Sequence, residues 1–356
     1  MLIIREQNLF NLAKEIIQRA GSESREAGQV AGHLVRSNLL GHDSHGVGMI
    51  PLYLKHISQG LLIPNRPARL LKENGSIMVF DGQRGYGQRT AAEAMEAAIA
   101  KCKETGLSLM ALRNAHHIGR VGAYGEQSIE AGLVSVHFVN VVDHPPVVTP
   151  YGGRDARFNT NPVCMALPGT ENTPPILLDM ATSKIPVGKA RVAMDQGTKL
   201  PLDLILDPEG NPTDDPRVIF SEPRGSLRVF GLHKGYGIAF FCELLAGVLG
   251  GGGTIHPGNE RLGSVMNNML VFVLDPARLV DSGWMQREVD ALVSYVKESP
   301  PEDPTTPVMV AGDPERKNLA ERREKGIPMP PAAWQELVQA AESVGVPRDH
   351  MESPIT

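Results

Sequence analysis

Residues 107–125 read LSLMALRNAHHIGRVGAYG, and the architecture of the chain turns on how this stretch is understood. Ser108 to Leu112 is a short β-rich run of the kind that forms a buried strand. The strand should end near Arg113, and Asn114-Ala115-His116-His117-Ile118-Gly119-Arg120 follows where it meets a helix. Ligands gather at such strand ends in α/β proteins. Gly119, Gly122 and Gly125 recur at every third position, which suits either close approach of backbone to a cofactor or tight helix packing. The GxGxxG pattern in a strand–turn–helix setting is absent, so a Rossmann argument is not available.

Working outward, Val134 to Val142 and Ile176 to Asp179 are further β-rich runs, alternating with Ala-rich helical stretches such as Ala91 to Ala100. That alternation reads as an α/β region. Before it, Leu9, Leu12, Ile16 and Ile17 recur at helical spacing up to Gly21. Val30, Ala31, Leu34 and Val35 continue the pattern up to Gly41. After Arg228 helices are expected again at Tyr236–Leu249, Glu288–Val296 and Ala332–Ala341, with proline- and acid-rich Ser299–Pro307 as an extended connection. The expected organisation is a mainly helical, discontinuous domain (residues 1–75 and 231–356) around an α/β domain (residues 76–230).

Composition narrows the function. Hydrophobic residues make up 42% and charged residues 21% of the 356, an ordinary globular balance. The net charge of −5, without a basic tract, argues against nucleic acid or an anionic membrane surface as partner. Cys102, Cys164 and Cys242 form neither a disulfide framework nor a CxxC pair, which suits a reducing compartment. The start, MLIIREQNLF, lacks a signal-peptide core, and the longest apolar stretch, Ile238–Leu249, is short for a membrane span. A soluble, cytoplasmic protein is expected.

Four segments could carry chemistry. In His42-Asp43-Ser44-His45-Gly46 a histidine can give a proton to a carbonyl oxygen as hydride reaches its carbon, although a polar helix cap would look the same. The His116-His117 segment is the second. The third runs from Asn159-Thr160-Asn161-Pro162 to Leu178-Asp179-Met180-Ala181-Thr182-Ser183, where an acid at a strand end could hold ribose hydroxyls. The fourth, His233-Lys234-Gly235-Tyr236-Gly237, puts a lysine at a helix start, a credible anion site. No third ligand accompanies the histidines at metal spacing and HExxH is missing, so no metal is expected. No G-x-S-x-G elbow supports a hydrolase.

Seven motifs in order carry a resemblance: Asp43-Ser44-His45-Gly46, Pro51-x-Tyr53, His117-x-Gly119, Thr160-Asn161-Pro162, Asp179-Met180-Ala181-Thr182-Ser183, Lys234-Gly235-Tyr236-Gly237 and Gly326-Ile327-Pro328. Over nearly its whole length the chain resembles the non-Rossmann malate/L-lactate dehydrogenase family. Gly41 to Pro51 and His116 to Arg120 look most like its hydroxycarboxylate dehydrogenase branch. The resemblance implies an α/β fold with a mixed-sheet, non-Rossmann NAD(P)-binding domain and a helical domain from both termini. It also implies a homodimer, NAD or NADP as cofactor, and a 2-oxo or 2-hydroxy carboxylate as substrate, with cyclic imino acids as the alternative.

It implies that His45 or His117 is the proton donor, supported by Ser44. Cofactor contacts are expected from His117, Ile118, Gly119, Arg120, Val121, Thr160, Leu178, Asp179, Met180, Ala181, His233, Lys234, Gly312 and Asp313, and a substrate contact from Tyr53. Two positions depart from the family. Met49 stands where many members carry a carboxylate-gripping arginine; Arg120 is the expected substitute, with Met49 packing against a larger or aromatic substrate tail. Lys189 stands where the imine reductases carry an acid.

Overall fold

A computed structural model describes residues 1–352. A short strand β1 (Leu2–Ile4) leads into α1 (Glu6–Arg19) and α2 (Ser24–Leu39). Both helices form because their apolar residues repeat on one face; Leu9, Leu12, Ile16 and Ile17 bury against Val30, Ala31, Leu34 and Val35. Two 3-10 turns (Asp43–His45 and Val47–Met49) then lead into α3 (Ile50–Ser58), with Pro51 in its first turn, where a missing N–H is tolerated.

The middle of the chain builds a seven-stranded sheet. It uses β2 (Arg69–Asn74), β3 (Ile77–Asp81), β4 (Leu107–His116) and β5 (Val134–Val142), with α4 (Gly87–Thr105) and α5 (Gly122–Glu130) between them. Beyond the two-residue β6 (Val148–Thr149) come β7 (Val163–Leu167) and β8 (Ile176–Met180). A smaller four-stranded sheet joins β6 to β9 (Ile205–Leu206), β10 (Pro212–Thr213) and β11 (Ser226–Arg228), over its own core of Val148, Ile205 and Leu227. α6 (Val187–Asp195) packs beside it.

After Arg228 the three expected helices form, but a strand and a further helix appear that were not expected. α7 (His233–Cys242) and its π-helical continuation Glu243–Leu249 lie where a helix was foreseen. Residues 266–274, assigned to the helical domain by the expected boundary at 231, instead form β12 (Met266–Leu274). β12 is the central strand, in the order β2-β3-β4-β12-β5-β7-β8. Its run MNNMLVFVL is buried along most of its length, as befits a strand with neighbours on both edges. Only β3 and β4 pair in parallel, so the sheet is mixed.

α8 (Ser282–Lys297) buries no residue. The next helix, α9 (Asp313–Lys325), has acids in its first turn and bases in its last, which favours the helix dipole, but no apolar face to betray it in the sequence. β13 (Ile327–Met329) pairs antiparallel with β1. Leu337, Ala340 and Ala341 of α10 (Pro331–Ser343) complete the core of α1 to α3. The helical unit is therefore built from both ends of the chain. Among the described residues no helix is long and apolar enough to cross a membrane.

Candidate active site

The 3-10 turn that carries Ser44 and His45 is held from both termini. Asn38, near the end of α2, accepts a hydrogen bond from Val47 N (3.0 Å) and donates to Asp43 Oδ1 (2.7 Å). Its carboxamide fills the space beside Gly46, where a Cβ would lie only 2.2 Å away, so glycine is required. From α9, Arg322 donates to both oxygens of Asp43 (2.7 and 3.0 Å) and Glu315 pairs with His42 (3.2 Å). Ser44 and His45 are left half-buried, with Gly188 of α6 against Ser44.

His116 and His117 leave the end of β4 on different errands. Asn114 takes a left-handed conformation (φ 56°), and its N–H donates to Asn268 Oδ1 (3.1 Å). Ile118 N donates to Asn267 Oδ1 (3.0 Å) and Arg120 N to His33 Nε2 (2.9 Å). His117 lies against His45, Nε2 to Nδ1 at 3.3 Å with the rings stacked 14° from parallel. The Tyr53 hydroxyl is 2.7 Å from His117 Nδ1 and accepts a hydrogen bond from Gln88 Nε2 (2.7 Å). His116 instead meets His56, Nε2 to Nδ1 at 2.8 Å.

These imidazoles are held neutral. Burial, helped by His42 and Arg120, pushes His45 down to about 4. Burial likewise drives His117 well below its ordinary value, with His45 and His116 adding to the effect. A neutral imidazole offers one donor and one acceptor. His45 Nε2 has no protein partner among the described residues, so the pair presents one open ring nitrogen. That is the equipment of an acid and base.

Two expected substrate contacts are corrected. Tyr53 is fully buried and its hydroxyl is committed to His117 and Gln88, so it supports the histidine rather than meeting substrate. Arg120 is 1% exposed and its Nη2 lies 2.8 Å from Glu126 Oε2. It therefore offers no free fork to a carboxylate, and Arg36 shares the same glutamate. Met49 is half-buried and packs on the helical core.

The expected cofactor segments converge. Gly122 N donates to Asp179 Oδ2 (2.7 Å), which ties His117, Ile118, Gly119, Arg120 and Val121 to the strand of Leu178, Asp179 and Met180, with Ala181 next. Burial raises the Asp179 carboxyl above its ordinary value. Leu177 N donates to Ala311 O (3.3 Å), which brings in Gly312 and Asp313. Thr160 O accepts from Thr182 N (2.8 Å), and Thr182 O from Phe230 N (3.0 Å), close to exposed His233 and Lys234 at the start of α7. A dinucleotide fits this set: Lys234 is an exposed cation at a helix start, and Arg120 Nη1 is buried without a hydrogen-bond partner beside Asp179. Asp313 itself is paired with Lys297 and Arg316, so it acts through its backbone or not at all.

Gln88, His33 and Asn267 carried no sequence signal, since each is a single polar residue in an unremarkable run. Glu126 carried none either, since it stands six residues from Arg120, which precedes α5, and falls outside the i,i+3 and i,i+4 spacings of helical neighbours.

Residues 4–338 match the family described as malate/L-lactate dehydrogenase. The chain is 41% identical to hydroxycarboxylate dehydrogenase B of Escherichia coli K12, over 98% of this chain and 96% of that protein. It is 40% identical to an L-lactate dehydrogenase of Cupriavidus necator, over 94% and 96%. The solved structure of a malate/lactate dehydrogenase from E. coli superposes with a TM-score of 0.94 at 40% identity, covering 99% and 98% of the two chains.

Proposed function

The chain belongs to the malate/L-lactate dehydrogenase family, and on that premise we propose that it interconverts 2-oxo and 2-hydroxy carboxylates with the His45–His117 pair as acid and base. It is an oxidoreductase of 2-hydroxy acids. The observation that carries the finer reading is the stacked histidine pair, braced by Tyr53 and open at His45 Nε2. NAD or NADP, when bound, would supply or take up the hydride at C2. As hydride reaches C2 of an oxo acid, His45 Nε2 gives a proton to the developing alkoxide; in oxidation the neutral ring takes the hydroxyl proton. Residues His117 to Val121, Thr160, Leu178 to Ala181, His233, Lys234 and Gly312 would hold the dinucleotide.

With Arg120 committed to Glu126, the substrate carboxylate falls to Ser44 and Lys189. Lys189 is exposed and adjoins Gly188, which touches Ser44. Half-buried Met49 in place of an arginine supports an apolar, aryl tail on the substrate. A homodimer is supported by the apolar residues that α7 and its continuation leave in water, with Phe241 57% and Leu249 68% exposed. The test is oxidation of NADH and of NADPH, followed by absorbance, across pyruvate, oxaloacetate, phenylpyruvate, 4-hydroxyphenylpyruvate and cyclic imino acids. Turnover of aryl 2-oxo acids is expected; turnover of the imines alone would overturn the reading.

A further inference from the structure

Behind His45 lies a buried chain of hydrogen-bonding groups: His117, then Tyr53, then Gln88 in the first turn of α4. Gln88 reaches Tyr53 because Gly87 lets α4 press against the end of β4. A Cβ at position 87 would lie 2.0 Å from His116 O. Gln88 is 3% exposed, and its Oε1 has no hydrogen-bond partner. An orphaned acceptor in that place is costly.

The protons available along this chain give it a direction. An amide nitrogen only donates, a phenol has one hydrogen, and a neutral imidazole has one donor and one acceptor. With Gln88 Nε2 donating to Tyr53, the phenol hydrogen goes to His117 Nδ1. His117 then carries its proton on Nε2 and donates to His45 Nδ1, so neutral His45 carries its own proton on Nε2. A second proton on His45 would set two N–H groups face to face.

A half-turn of the Gln88 amide brings Oε1 to the phenol and reverses every link. Tyr53 then donates to Oε1 and accepts from His117 Nδ1–H, and His117 Nε2 accepts from His45 Nδ1–H. In this direction His45 Nε2 gains and loses a proton with nothing else rearranged. The imidazolium protonates the alkoxide formed when hydride adds to C2, and the neutral ring left behind takes up a proton from water for the next turnover.

We propose that Gln88 is a positioning residue whose amide, acting through Tyr53, sets the direction of hydrogen bonding along His117 and His45 and so decides whether His45 works as an acid. The proposal rests on the acid–base role given to the pair above. The other charged and titratable groups around the pair are His33 from α2, His42 and its partner Glu315, His116, His56, Arg120, and Lys189 on α6. None of them shares a hydrogen bond with the Gln88 side chain, whose bond to Tyr53 therefore carries a change at position 88 toward His45.

The test is Gln88→Glu, whose carboxylate can only accept from Tyr53. Imidazole nitrogen NMR on the full chain, with no substrate needed, should show His117 change from the Nε2–H to the Nδ1–H tautomer. In oxo-acid reduction the pH midpoint of kcat should rise by about one unit, with KM unchanged within about threefold. In Gln88→Glu/Tyr53→Phe the tautomer change should be lost, although the added charge remains. If Gln88→Glu does not fold, Tyr53→Phe alone should abolish the single His117 tautomer. An unchanged His117 tautomer in Gln88→Glu, or a change that survives removal of the Tyr53 hydroxyl, overturns the proposal. Absence of any nicotinamide-linked turnover by the wild type would instead sink the reading of function and leave the NMR result to judge the chain.

Discussion

Two histidine pairs bridge the same junction, and only one of them is open. His116 and His117 are neighbours at the end of β4, and each meets a histidine from the segment 45–56: His45 for His117, His56 for His116. Tyr53 touches both strand-end rings, edge-on to His116 and tilted against His117. The His56–His116 pair is shut in, with His56 at 3% and His116 at 0% exposure, and its rings cross at 80°. The His45–His117 pair stacks and ends in a free nitrogen. Burial without an exit makes a histidine pair a joint; burial behind with an open nitrogen in front suits it to the acid–base role proposed above.

The comparison can be broken most sharply by kcat. His117→Ala should lower kcat by about 10²- to 10⁴-fold, the range for a lost acid–base group; a fall below tenfold would demote the open pair. Tyr53→Phe should cost about 10- to 100-fold in kcat, the scale of a lost orienting partner, while KM stays close to wild type. His116→Ala should do the reverse. Stranding His56 should cost about 1–3 kcal/mol of stability, seen in urea unfolding, with kcat within about tenfold.

The pH dependence of stability sharpens the same contrast. Burial holds His116 and His137 to about 3 in the folded chain, against an ordinary 6.5. Above the ordinary value neither folded nor unfolded chains hold the proton and the full stability is present. As pH falls below it, unfolded chains take up protons that the folded chain refuses, and stability drops until pH nears 3. The slope should be about 1.4 kcal/mol per pH unit for each such histidine. In His116→Phe that slope should shrink in a Tm series from pH 7 to about 4, since one of these groups is gone. The smallest effect expected is for Lys189→Ala, a rise in KM of about tenfold with kcat held, the signature of a lost ground-state contact.

The first two helices were legible because Leu9 to Ile17 and Val30 to Val35 repeat at a single period and pack on each other. The β4 strand end and its histidines were legible because β-rich residues stop abruptly at a polar, glycine-bearing turn. β12 was hidden by its setting: a nine-residue strand between helical segments has no local mark of belonging to a sheet made much earlier. α9 was hidden by its composition, since a helix held by ion pairs to Asp43 and His42 needs no apolar stripe. Arg120 and Tyr53 lie beside the His45–His117 pair, but their polar groups turn to Glu126, His117 and Gln88 and not outward as expected. Spacing along the chain says which residues meet, and the buried partners Glu126 and Gln88 decide which way they face.

The place of β12 has a consequence for how the protein comes into being. β4 and β5 follow each other in the chain, yet their facing edges stay unpaired until Met266–Leu274 has been synthesised. A nascent chain halted before that strand would emerge from the ribosome with two open, apolar edges in the middle of its largest sheet. Such edges invite pairing with other chains. Fragments that end before residue 266 should therefore aggregate or be captured by chaperones, and a fragment carrying residues 266–274 in trans would be the natural means of rescuing them.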